Sequence, residues 1–113
     1  MQLTINIARD FSPIPGARYP IEGDFSGQEF RQTLLAPKLK EAIKSGTVLL
    51  VDLDGTLGYG TSFLEEAFGG LIRSDKFSFE DIAKHLDYSC YDDPGYIQEI
   101  KSYIAEANVK EHN

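Results

Sequence analysis

Asp52 and Asp54 flank the end of an apolar run, Thr47–Leu53, and are the first groups in this chain suited to chemistry. Alternate residues at a strand end can both address one phosphate, and a Mg²⁺ ion would offset their clustered negative charge. A second chemistry lies a few residues on. Thr61 and Ser62 open a predicted helix, where free backbone amides and the positive end of the dipole favour an added phosphate. Ser62 with Glu65 also matches a capping box, so its hydroxyl has a structural use and Thr61 is the less committed acceptor. Between these two pairs Gly55, Gly58 and Gly60 permit a tight loop carrying Leu57 and Tyr59. An aromatic on a preformed loop is a common interface anchor, and folding back over the sheet is the alternative for Tyr59. Leu57, Tyr59 and Phe63 are therefore candidate contact residues, with Asp54, Thr61 and Ser62 beside them.

The elements that must position these groups follow from periodicity and turn chemistry. Leu3, Ile5 and Ile7 alternate with polar or small residues, the pattern of a half-covered first strand. Pro13, Pro15 and Gly16 make the next segment a loop, and Ala17–Ile21 reads as a short second strand. Ser26 with Glu29 is a capping box before a helix that Pro37 should kink or restart, and Ser45-Gly46 closes it. Thr47–Leu53 is apolar almost throughout, which predicts a central strand covered on both faces. The helix after Ser62 holds Gly69-Gly70, which marks either close packing or its end. Ser78 caps a further helix, Asp87–Tyr91 reads as a strand, and Asp93-Pro94 starts a last helix that should fray over Val109–Asn113. The order predicts a small α/β domain spanning residues 1–113, with a short mixed β-sheet flanked by amphipathic helices.

Composition narrows the function classes. The chain has 113 residues, enough for one core but not for a core and a separate cap domain. It carries 18 acidic against 11 basic residues, a net charge of −7 that argues against non-specific nucleic-acid binding. Arg9, Arg18, Arg31, Lys38, Lys40 and Lys44 lie in the first half, where a solvated helix face accounts for them and a small basic patch on one helix is the alternative. Cys90 is alone, so no intrachain disulfide forms. His85 and His112 show no metal spacing, and no cofactor is called for. No run is long enough to span a membrane and no basic-then-apolar leader pattern appears, which predicts a cytoplasmic address.

Two resemblances bear on function. The string DLDGT resembles the first motif of the haloacid dehalogenase superfamily, which would make Asp52 a nucleophile and Asp54 a general acid in a Mg²⁺-dependent phosphohydrolase. That motif normally opens its chain, whereas here two predicted strands and a helix precede it, and few residues follow to supply the rest of the site. Over nearly its whole length the chain resembles the STAS-like domains, small bacterial proteins related by fold to anti-sigma factor antagonists. The resemblance rests on DFSPIPGARY (10–19), DFSGQEFR (24–31), VDLDGTLGYGTSFLEEAFGGLIR (51–73) and DDP (92–94). It implies a non-enzymatic regulatory module switched by phosphorylation of Thr61 or Ser62 in the loop after the central strand. Gly60 and Phe63 depart from the Asp and Gly of the antagonist loop. The implied partner is a regulatory protein, either a histidine-kinase-like ATP-binding protein or an anti-sigma-like factor, with no nucleic acid or membrane. A structural subunit of a larger complex is a third reading.

Overall fold

In the computed structural model, which describes residues 2–112, three parallel strands form one sheet in the order β1-β2-β3. The strands are β1 (Leu3–Asn6), β2 (Leu49–Asp52) and β3 (Leu86–Ser89). Around them run α1 (Ile7–Asp10), α2 (27–45), α3 (61–73), α4 (Phe79–His85) and α5 (Gly95–Glu111). The α/β class is as expected, but the sheet is parallel in both of its pairings rather than mixed. The second strand expected over Ala17–Ile21 is absent. Pro20 instead opens a single 3₁₀ turn, Pro20–Glu22, because it has no N–H to give a ladder.

Register explains how β2 is covered. Leu3, Leu49 and Leu86 share one row, and Ile5, Val51 and Tyr88 the next on the same face. Ile5, Leu49, Val51 and Leu86 are buried there, against Phe30, Phe63, Phe68 and Ile100. The opposite face carries Thr4, Leu50 and Asp87, then Asn6, Asp52 and Ser89, all exposed or half-exposed. Thus β2 is central but covered on one face only, contrary to the expectation from its apolar run.

Local chemistry sets most helix ends. The α2 N-terminus is fully satisfied: Gly27 and Gln28 donate to the Ala17 and Arg18 carbonyls, and the Glu29 N–H donates to Ser26 Oγ. At its other end Gly46 adopts a left-handed φ of 68°, and its N–H returns to the last turn. As the proline suggested, the α-helical form of α2 restarts at Pro37, which stands in the first turn of the segment Ala36–Ser45. A widened π turn, Arg31–Leu35, lies immediately before it, with the Ala36 N–H reaching back to Arg31. Ser78 Oγ accepts from Asp81 N–H, and Asp93 accepts from Gly95 N–H at the start of α5. That last helix holds to Glu111 instead of fraying from Val109; Asn113 lies outside the described residues.

A second π turn, Glu65–Gly69, sits in α3 opposite the first, and the pair is joined by ions. Arg31 is only 3 % exposed, so it does not belong to a solvated helix face. Its guanidinium binds the buried Glu66 carboxylate, donates to the Glu66 carbonyl at 2.8 Å, and reaches Asp75 at 3.0 Å. Arg73 pairs with Glu65 at 2.7 Å and with Glu66 at 3.1 Å, and Arg18 also binds Glu65. Burial opposes the charge on Glu65, yet Arg73 and Arg18 together hold its carboxyl below the usual range. Gly70 lies inside α3 at a close-packed position, where a Cβ would fall 2.2 Å from the Arg31 guanidinium.

Candidate functional site

The C-terminal ends of the three parallel strands open on the same edge of the sheet, where function collects in folds of this class. Hydrogen bonds tie the loops there into one surface. Asp52 accepts from the Asn6 side-chain amide at 3.0 Å and from the Asp54 N–H at 3.0 Å. Asp54 accepts from the N–H groups of Tyr91 at 2.9 Å and Asp92 at 2.8 Å. Gly55 N–H returns to the Asp92 carboxylate at 3.2 Å, and Leu57 N–H donates to the Pro13 carbonyl at 2.9 Å. The loops after β1, β2 and β3 are thereby joined.

The bonds from Asp92 and Tyr91 hold the Asp54 carboxyl below its usual range. A depressed folded-state value contributes stability above the unfolded value of about 3.9, lost as pH falls through the folded one. Urea titrations of wild type and D54N should therefore differ most near neutral pH, and the difference should shrink as pH falls below about 3.9. A difference independent of pH would contradict the staple.

Several expected site residues turn out to hold the loop. Tyr59 folds back: its hydroxyl donates to the Leu53 carbonyl at 2.7 Å, and its ring meets Tyr96 edge-on at 5.1 Å. Burial pushes the Tyr59 phenol well above its ordinary value. Tyr59 N–H donates to the Tyr96 hydroxyl at 3.3 Å, so α5 also fixes the loop. Phe63, expected as a contact residue, is wholly buried and stacked on Phe30 at 5.9 Å, which removes it from the accessible set.

Leu57 is 88 % exposed, and Thr61 and Ser62 are exposed as well. Ser62 does not cap α3. Gly60, in extended conformation with φ −75°, is the N-cap, and the helix begins two residues earlier than the capping box placed it. Glu65, the other half of that box, is occupied by Arg18 and Arg73. No side chain caps the α3 N-terminus, and neither hydroxyl bonds to another described residue.

Two members of this surface escaped the sequence reading. Tyr91 is 90 % exposed, and Ile14, beside Pro13, is 53 % exposed. Tyr91 was expected inside a strand; β3 ends at Ser89, which releases it into the loop. The Tyr between that strand and the Asp-Asp-Pro helix start was the available signal.

The phosphohydrolase arrangement is not assembled here. Both carboxylates serve N–H donors, and among the described residues no Lys or Arg pairs with either. No three His, Cys, Asp or Glu among the described residues converge as a metal site. His85 is instead a buried donor to the Thr47 carbonyl at 2.7 Å.

A parallel α/β domain whose strand-end loops are fixed by hydrogen bonds defines the class. Residues 26–95 match the family model described as a STAS-like domain of unknown function, and the chain belongs to that family. No curated protein and no solved structure matches the chain. No helix among the described residues is long and apolar enough to cross a membrane.

Proposed function

We propose that this chain is a single, non-enzymatic regulatory module that binds a partner protein through the loops at the C-terminal edge of its sheet. The observation that carries this reading is Leu57, exposed on a loop whose backbone is held by Pro13, Tyr96 and the Asp54 staple. A preformed loop loses little conformational freedom on binding, so an exposed apolar side chain there contributes more of its burial to affinity. Ile14 and Tyr91 extend the same surface. The partner class that the family resemblance suggests is a histidine-kinase-like ATP-binding protein or an anti-sigma-like factor.

Thr61 is the proposed switch, with Ser62 beside it. The uncapped start of α3 leaves amides that a phosphate on either hydroxyl can use, so the modified loop is tolerated. The added charge, about −1.5 to −2, would fall next to the contact surface and alter partner choice. Glu65 and Glu66 add little repulsion, because Arg18, Arg31 and Arg73 neutralise them.

The test is co-purification with the products of neighbouring genes, followed by affinity measurement on the complex. L57A should weaken binding about tenfold or more, as for a buried interface anchor, and T61E should weaken it while T61A does not. Equal affinities for wild type, L57A and T61E would sink the site assignment.

A further inference from the structure

The charge on this surface specifies what it takes. The loops that carry Leu57 and Tyr91, residues 53–60 and 90–94, hold Asp54, Asp92 and Asp93 and neither Lys nor Arg. Residues 11–16, which carry Ile14, hold no charged residue. Asp92 and Asp93 are exposed. Of the cations outside these loops, Arg9 in α1 pairs with its neighbour Asp10 at 3.0 Å while also acting on Asp52, and Lys76 pairs with Glu111 at 3.3 Å. Arg18, Arg31 and Arg73 are consumed by the ion cluster. The loops of this surface thus carry apolar side chains and acids without a Lys or Arg, and Arg9 at their border is paired with Asp10.

We infer that this surface receives a basic protein segment, one that presents a large apolar side chain flanked by Lys or Arg. This rests on the docking reading above and adds the chemistry of the partner. An apolar side chain on the segment covers Leu57, Ile14 and Tyr91, while its cations meet Asp92 and Asp93 at the rim. Rim charges of this kind set encounter rate and partner choice more than raw affinity. Nucleic acids and anionic lipid surfaces are repelled by the same carboxylates.

The experiment selects from a phage-displayed library of random linear peptides on the full chain. The enriched peptides are then titrated against wild type, L57A, Y91A and the double variant D92N/D93N. Asparagine keeps the acceptors used by Gly55 and Gly95 N–H and removes only the charge. Enriched peptides should carry a large apolar residue flanked by Lys or Arg. They should lose about tenfold or more in affinity on L57A or Y91A, and roughly three- to tenfold on D92N/D93N. Added salt should weaken wild type more than D92N/D93N.

Neutral or acidic peptides that still depend on Leu57 would overturn the charge inference and leave the docking surface standing. Peptides that bind L57A and Y91A as tightly as wild type would overturn both. So would a selection that enriches no peptide family.

Discussion

Replacing Arg31 with methionine is expected to cost about 3 kcal/mol of stability, the low end of what breaking a buried ion pair costs. Arg31 is 3 % and Glu66 4 % exposed, so the carboxylate left behind cannot recover its hydration. The loss stays at the low end because Arg73 still holds one Glu66 oxygen at 3.1 Å. The Glu66 carbonyl and the Asp75 carboxylate lose a donor at the same time. Urea unfolding should show a lower midpoint with an unchanged slope. The double variant R31M/E66L should regain part of the loss, since removing both charges takes away the unpaired group. A single-variant loss under about 1 kcal/mol would mean that water reaches Glu66 and that the cluster is only a surface network.

The second large effect is at Gly27. A Cβ there would lie 2.5 Å from the Phe63 carbonyl oxygen and 3.2 Å from two further Phe63 backbone atoms. No side chain can rotate away, so α2 and α3 must separate. Overpacking of this kind costs about 1–3 kcal/mol, against which alanine returns up to about 1 kcal/mol of helix propensity. We expect G27A to be about 2 kcal/mol less stable than wild type, at the upper end of that range because the clash is backbone on backbone. The Phe30–Phe63 stack would loosen with it and shift the start of α3, where Thr61 and Ser62 lie. G60A is the control. Nothing lies within 4 Å of its Cβ position and φ is −75°, so its loss should be limited to the N-cap preference for glycine over alanine, no more than about 1 kcal/mol.

What could be read from the sequence was local. Ser26, Ser78, Asp93 and Gly46 act through hydrogen bonds or backbone angles within a few residues, so short patterns reveal them. Ser62 shows the limit of such patterns. Its capping box is intact as a string, but Glu65 answers to Arg18, 47 residues earlier, and the N-cap position falls on Gly60, with no side-chain cap. The same limit hid Arg31, whose partners lie 35 and 44 residues away, and Gly27, whose only special feature is Phe63.

The sheet was legible in its centre and not at its margins. The apolar run identified β2 and its acidic end, yet it could not tell that Leu50 faces away from the core. The loop after β2 was found as a candidate site from its glycines and hydroxyls. Its division of labour was not, because burial of Tyr59 and Phe63 depends on Tyr96 and Phe30. Tyr91 became visible only when β3 ended at Ser89.

The central claim is that the strand-end loops form the partner-binding surface. Amide hydrogen exchange on the chain, alone and in complex with the co-purified partner, tests it most directly. Slowed exchange confined to residues 12–16, 54–63 and 90–94 is the predicted result. Protection concentrated instead on the groove between α4, β3 and α5, lined by Ile82, Leu86, Tyr88 and Ile104, would contradict it.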